Sequence, residues 1–352
     1  MSNGIWGGAK FVFSAFRTRS GCRPTVVGAN PRPEGDGRRM MTNSYAPTDG
    51  LVHSAFFYDT ADQYVDVVSS FLEEGLDAGE PALVAVPRGN LELIRARLSS
   101  RNGTVRFRDM SVLGRNPSRI IPAVRRFTDA HRGGRTRFVG EPVWPGRSPA
   151  EIQEATRHEA LINAAFADVP TAILCPYRAA VLDRAVLAGA ETTHPHLLAG
   201  GRARVSTRYS GTATALAIAG ERLPAAPADA EEIKFGAGDL PLLRRLVRER
   251  ALSAGLPGER AEDLMIAVNE VATNTVSHTE APGVLRMWRD AAGFVCEICD
   301  TGHIPDPLAG RRPASAAADG GHGLRVVNQI CDLVELRTGP WGTAVRMRID
   351  QA

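Results

Sequence analysis

Residues Glu259 to His278 read ERAEDLMIAVNEVATNTVSH, and this stretch decides how the rest of the chain is parsed. Leu264, Ala267, Val268, Val271, Ala272, Thr275 and Val276 recur at steps of three and four. That spacing predicts one helix with an apolar stripe along one side. Glu270 and Asn274 stand four apart and project together from another face. Asn is a mediocre helix former that prefers caps and turns, so its place inside a helix asks for a reason. A carboxylate and an amide oxygen at this spacing can face one polyphosphate, the amide holding magnesium and the carboxylate accepting a proton. Taken alone, the pair is equally the polar side of a surface helix.

The chain downstream of this helix gives the pair its meaning. A strand-like run from Phe294 to Cys299 ends in Asp300-Thr301-Gly302, and a polar loop rich in Pro, Ala and Gly covers 303–320. Gly321-His322-Gly323-Leu324 then opens another helix, and DLVELRTGPWGTAVRMRI reads as a closing hairpin. Upstream, EIKF is an edge strand, and DLPLLRRLVRERALSAGL is a helix with Asp239 placed to cap it and Pro241 in its first turn. An aspartate at a strand end beside a Gly turn can accept the exocyclic amine of adenine, where guanine would present a carbonyl. Gly302 lets backbone come close to a base. Gly321 and Gly323 before a helix expose amides that can cradle phosphate.

This order of parts resembles the ATP-binding domain shared by gyrase, a heat-shock chaperone family, histidine kinases and the anti-sigma-factor serine kinases, the GHKL superfamily. The resemblance spans roughly the last 120 residues. It implies ATP and Mg2+ as cofactors, Glu270 as general base, and Asn274 in the magnesium shell. Asp300, Gly302, Gly321, Gly323, Leu324 and Thr343 would then surround the nucleotide, Thr343 as the adenine-side hydroxyl. His278, one turn beyond Asn274, either touches phosphate or caps its helix. One departure is Ile304, where the family often carries a second Gly, which leaves the start of the lid unspecified. No helical hairpin with a phosphoacceptor His precedes 233, and AVNEVATNTVSH, DTGHIPDPLAG and GLRVVNQICDLVELR most resemble the short anti-sigma serine kinases. Such a kinase transfers the γ-phosphoryl group of ATP to a Ser of an anti-anti-sigma partner, or acts on a sigma factor.

The N-terminal half alternates strand and helix from Leu51 onward. LVHSAFFY, ALVAVP, VRFRDM, RFVGEPVW and TAILCPYR read as strands, the last of these closing the domain. ADQYVDVVSSFLEEGLDAGE, LELIRARLSS, NPSRIIPAVRRFTDAHRGG and SPAEIQEATRHEALINAAF read as the helices between them. Alternation of this kind predicts a mainly parallel sheet covered by helices. The phrases HSAFFYDTADQYVDVVSSFLEEGLDAGEPALVAVP, GEPVWPGRSPAEIQEATRHEALINAAF, LCPYRAAVL and THPHL are similar to the MEDS sensory domain, a RecA-like relative of bacterial regulators. The resemblance covers about 50–200 and implies a sensory role, with a small organic molecule as ligand. Arg178 stands where an acid is expected after Cys-Pro-Tyr. His53, Glu141, Glu159, Asn163 and His194 are the polar candidates here. Their bland reading is packing or solvent-facing polarity. With no phosphate loop, this half is not expected to hydrolyse ATP.

The expected organisation is a disordered extension at 1–47, an α/β sensory domain at 48–206, a linker at 207–232 and an α/β sandwich ATP-binding domain at 233–352. Residues 217–219 could belong to a short helix, and Met40 or Met41 could be the true start. At 43% hydrophobic and 23% charged residues the composition is globular, and a net charge of +3 gives no ground for direct nucleic-acid or membrane partners. Five cysteines favour a reducing cytoplasm, and Cys296 with Cys299 on one strand point to opposite faces rather than to one metal. No apolar run reaches the roughly 18 residues of a bilayer span. A homodimer is compatible with all of this. The alternative to a kinase is a non-enzymatic, ATP-dependent sensor that sequesters a partner; a third is a regulator whose ATP site has decayed.

Overall fold

The structure, a computed structural model, describes residues 50–101, 103–312 and 322–351. The extension expected at 1–47 and Gly321 lie outside the described residues.

The N-terminal half runs β1 (Leu51–Tyr58), α1 (Ala61–Asp77), β2 (Ala82–Val86), α2 (Arg88–Arg97), β3 (Val105–Asp109), α3 (Met110–Leu113), α4 (Ile120–Asp129), β4 (Thr136–Gly140), α5 (Pro149–Ala165), β5 (Thr171–Arg178), α6 (Arg184–Thr193), β6 (His196–Ala199) and β7 (Arg202–Val205). The strands form one sheet in the order β3-β2-β4-β5-β1-β6-β7, parallel except for β7 at the edge. β2 and β4 are buried along their whole length, as expected of strands covered on both faces. The caps are written locally. Thr60 and Gln63 form a capping box on α1, and Ser148 and Glu151 form another on α5, which opens with Pro149.

Two strand expectations of this half are corrected by the fold. β5 is not the last strand, because β6 and β7 follow it; at four residues each, they are too short to show a period. The strand expected as RFVGEPVW stops at Gly140, where Pro142 and Pro145 could not donate to a ladder. The segment expected as a linker, with a short helix left open at 217–219, contains α7 (Thr212–Gly220), with Ala215, Ile218 and Ala219 buried.

The C-terminal half comprises β8 (Glu231–Phe235), α8 (Leu240–Ser253), α9 (Gly258–His278), β9 (Gly283–Arg289), β10 (Gly293–Asp300), α10 (His322–Ile330), β11 (Leu333–Gly339) and β12 (Gly342–Asp350). Its sheet is antiparallel in the order β11-β12-β10-β9-β8, with the helices on one face. The apolar stripe of α9 is the middle of that core: Leu264, Ala267, Val268, Val271, Ala272 and Thr275 are all buried. β9 has no counterpart among the strands expected from sequence. Asp239 does not cap α8 with its side chain, because its carboxylate instead accepts the Gly236 N–H at 2.9 Å. Cys296 is buried in the core while Cys299 is half-buried beside Arg286, as the odd separation on a strand demands.

The two halves share a buried ionic seam. Glu154 on α5 accepts from Arg311 at 2.8 Å and from Arg337 of β11 at 2.5 Å, and Arg157 donates to the Leu336 carbonyl at 3.2 Å. Burial alone would raise the Glu154 pKa, but the charges of Arg157, Arg337 and Arg311 hold it below the usual carboxylate value. Leu308 packs into the apolar cluster of the N-terminal half. Asn116 and Arg119 donate to the carbonyls of Asn328 and Cys331 at the C-terminal end of α10, with Arg119 reaching Asn328 at 3.0 Å and Cys331 at 2.6 Å.

Candidate functional site

The polar face of α9, the end of β10 and the start of α10 enclose a cavity of about 200 Å³ lined by Asn274, His278, Thr279, Asp300, Gly302, His303, Ile304, Leu324 and Thr343. Glu270 lies at its edge. A Cβ built on Gly323 would stand 2.7 Å from Glu270 Oε2 and 3.5 Å from Asn274 Nδ2. The helix spacing and the glycine therefore meet in space: backbone at the start of α10 lies directly on the two α9 groups. Of the residues expected around a nucleotide, Asn274, Asp300, Gly302, Leu324 and Thr343 line the cavity, and Glu270 and Gly323 border it.

Asp300 is held from several sides. Thr275 donates to its Oδ2 at 2.7 Å, and the Gly302 N–H donates to Oδ1 at 2.8 Å. Each oxygen keeps a further lone pair for a donor from the cavity. Asp300 is paired with Thr343 in the β10–β12 register. That pairing depends on Gly342, whose φ of 112° suits glycine and whose Cβ position lies 2.0 Å from the Asp300 carbonyl oxygen. Thr343 donates to the Gly302 carbonyl at 2.9 Å, and Thr338 accepts from the Ile304 N–H at 3.1 Å. The loop after β10 is thus fastened to the hairpin without the second glycine that Ile304 replaces. Thr275 and Thr338 carry no sequence signal for these roles: Thr275 falls in the apolar stripe, and its hydroxyl turned toward Asp300 leaves no mark in the spacing.

In the N-terminal half, four of the five polar candidates converge. His53 of β1 meets Glu159 of α5 at 3.1 Å and Asn163 at 3.1 Å, and His194, the residue after α6, stands 3.2 Å from the same Glu159 oxygen. Cys175 of β5, not singled out from sequence, lies 3.4 Å from Glu159 and 3.5 Å from His53. His53, Glu159, Cys175 and His194 are at most 1% exposed. Burial and the neighbouring His194 depress His53 to about 4, and burial raises the Cys175 thiol well above its ordinary value. Burial opposes ionisation of Glu159, yet the adjoining His194 and His53 rings hold its pKa low. Glu141 is apart from this group. Tyr58 stands five positions after His53 on β1, so they face opposite sides, and Glu141 bonds to Tyr58 at 3.4 Å and Asn90 at 2.8 Å. Burial pushes Glu141 up to about 8.

Comparison with known families divides the chain where the fold does. Residues 52–195 match the family model of the MEDS (methanogen/methylotroph, DcmR sensory) domain, and residues 236–349 match that of the histidine kinase-like ATPase domain. The chain joins a MEDS domain to a histidine kinase-like ATPase domain. No curated protein matches it. The ATPase domain supports ATP binding, usually with Mg2+, and the MEDS domain supports a sensory, regulatory role. Among the described residues, no helix is long and apolar enough to cross a membrane.

The cavity of the ATPase domain fits that assignment by its donor set. It offers a carboxylate oriented by two donors, an amide on a helix face, and a close backbone approach that any side chain at Gly323 would fill.

Proposed function

We propose that the ATPase domain is a protein-serine kinase of the anti-sigma-factor type, acting on a Ser of an anti-anti-sigma partner under the control of the MEDS domain. The observation that carries this reading is the meeting of Glu270, Asn274 and Gly323 at one end of the cavity, with Asp300 and Thr343 lining it. Mg-ATP bound there would supply the phosphoryl group and neutralise its charge. Asp300 would accept the adenine amine, the bare backbone at Gly323 would let phosphate come close to the start of α10, and Asn274 would offer its amide oxygen to the metal. Glu270 would take the proton of the partner's hydroxyl, a role typically contributing about 10² to 10⁴ in rate.

The buried seam supports control by the MEDS domain. Arg311, bound to Glu154, lies in the loop between the adenine-side Gly302 and α10, and Asn116 and Arg119 hold the far end of α10. A shift of α5 or of the 116–119 segment would therefore be felt on both sides of the nucleotide cavity.

A second reading, an ATP-dependent sensor that sequesters its partner without phosphate transfer, is favoured by the packing of α10 against Glu270, which covers the carboxylate a hydroxyl must reach. Glu270→Ala separates the two. With labelled ATP, magnesium and a candidate anti-anti-sigma protein, transfer by the kinase falls about 100-fold or more while ATP affinity persists. Wild-type protein that binds ATP and transfers nothing would establish the sequestering sensor. Asp300→Asn tests the site itself. It should weaken ATP binding about tenfold to a hundredfold by calorimetry, as loss of a charge-assisted hydrogen bond does. Unchanged affinity would remove Asp300 from the site.

A further inference from the structure

The buried group around Glu159 presents a problem of protons. Asn163 donates through Nδ2 to the Thr193 carbonyl at 2.8 Å and faces the Glu159 and Ala160 carbonyls at 3.3 Å, so its amide orientation is fixed and Oδ1 must face His53. His53 Nδ1 is therefore the donor in its 3.1 Å bond to that oxygen. His194 Nδ1 lies 2.8 Å from the Ala190 carbonyl, which can only accept, and 2.9 Å from the Thr193 hydroxyl, which can send its own proton to the Gly189 carbonyl at 3.2 Å; the Ala190 contact therefore puts a proton on this Nδ1 as well. In the neutral rings both Nε2 atoms then present bare lone pairs inward, and both point at the same carboxylate oxygen, Glu159 Oε2, at 3.1 and 3.2 Å. The Cys175 thiol has one proton for all of them. His194 Nε2 and Glu159 Oε1 have no hydrogen-bond partner. Inward-facing acceptors without donors, sealed from water, are costly unless a cation sits among them.

The distances describe such a cation. A tetrahedral ion with bonds of about 2.0–2.1 Å to nitrogen or oxygen and about 2.3 Å to sulfur sets its ligand atoms about 3.3 Å apart, or about 3.5 Å where one is sulfur. Here the nitrogen–oxygen edges are 3.1 and 3.2 Å, and the edges to Cys175 Sγ are 3.5 Å from His53 and 3.4 Å from Glu159. All four ligand atoms lie within 4.8 Å of one another. Imidazoles that ligate a metal through one nitrogen usually donate the other to a carbonyl or carboxylate, as both rings do. A thiolate and a carboxylate together would balance a divalent charge, leaving the buried site neutral.

We propose that His53, Glu159, Cys175 and His194 form a closed tetrahedral site for one divalent first-row ion of borderline softness, zinc foremost. Thiolate with imidazole excludes magnesium and calcium, which take oxygen ligands. Four protein ligands leave no open vertex, so the ion is bound rather than used as a reagent. The centre ties β1, α5, β5 and the end of α6 together, and the small organic molecule expected from sequence has no place within it. The site is independent of the nucleotide reading.

The test uses the full chain, stripped by a chelator under reducing conditions and free of nucleotide, titrated with Co2+ as an optical stand-in for zinc. The expected result is saturation at one equivalent, with a thiolate charge-transfer band and ligand-field bands of tetrahedral intensity that zinc bleaches. Zinc should also raise the Tm of the stripped protein. Cys175→Ser should abolish the charge-transfer band, His194→Gln should lower cobalt affinity at least tenfold, and Cys299→Ser should change neither. A wild-type titration with no band and no Tm shift overturns the proposal, as does a charge-transfer band that survives Cys175→Ser. Should the variants fail to fold, X-ray absorption of the zinc-loaded wild type decides: one sulfur and three nitrogen or oxygen neighbours support the site, and any other sulfur count rejects it.

Discussion

Two helices of this chain carry the same pair one turn apart, Glu159 with Asn163 on α5 and Glu270 with Asn274 on α9, in opposite surroundings. On α5 the carboxylate is sealed, and the half-buried amide beside it has every polar atom engaged. Asn163 spends its amide nitrogen on three carbonyls and its oxygen on His53, while Glu159 faces two imidazoles and a thiol. On α9 both residues are half-buried, and Asn274 lines a cavity. The spacing is identical, and what decides the chemistry is what lies opposite: a sheet strand in one case, a glycine-bearing helix start in the other. A pair that is enclosed fixes structure or an ion. A pair left facing a cavity can exchange a soluble ligand.

If the division is sound, changes on the enclosed side should read out mainly in stability. The largest effect is expected at Glu154, where Ala would leave Arg157 and Arg311 buried without a countercharge and Arg337 with only Glu335 at 4.0 Å. Breaking a buried pair from one side costs about 3–5 kcal/mol, measurable by urea denaturation. A loss below about 1 kcal/mol would mean that these guanidinium groups reach water and the seam is not enclosed. Because the folded-state pKa of Glu154 is depressed, its contribution is present above the unfolded carboxylate value and is lost as pH falls through the folded one.

Glu141 gives the opposite sign. Its folded pKa is raised from 4.5 to about 8 by burial, so the folded state holds the proton more tightly. Stability from this group is complete below pH 4.5 and declines as pH rises toward about 8. Glu141→Gln, which keeps the shape and cannot ionise, should remove that decline, whose slope is about 1.4 kcal/mol per pH unit between the two values. Parallel profiles for wild type and variant would show that Glu141 is solvated.

The alternation of β-branched runs with amphipathic helices made the mainly parallel sheet legible, and the α9 stripe located the second core. Short or context-dependent elements were not legible. β6 and β7 are four residues long, β9 carries no recognisable box, and α7 looked like a linker because Ala, Thr and Gly fill it. Sequence showed Glu270 and Asn274 on one helix face and four of the N-terminal candidates, but not which groups meet. Cys175 joins them only because β1 and β5 pair in parallel with His53 opposite Ile173, two residues from Cys175 and so on the same face. Long-range register of that kind has no local signature. The same holds for Thr275, whose apolar neighbours conceal its bond to Asp300.

The smallest effect expected on stability, and the sharpest test of the open side, is Gly323→Ala. The added methyl would lie 2.7 Å from Glu270 Oε2, the far end of a flexible side chain, so the carboxylate can swing aside and the fold should hold. Inside a helix Ala is favoured over Gly by up to about 1 kcal/mol, so Tm should be unchanged or slightly raised. The methyl would, however, stand where the start of α10 meets the α9 pair and would hold off a phosphate approaching the backbone there. Mg-ATP affinity should therefore drop about tenfold, a cost of about 1.4 kcal/mol. A variant that binds ATP normally and transfers phosphate faster would invert the argument. The contact of α10 with Glu270 would then be a brake, and the open pair would be working against its cover rather than with it.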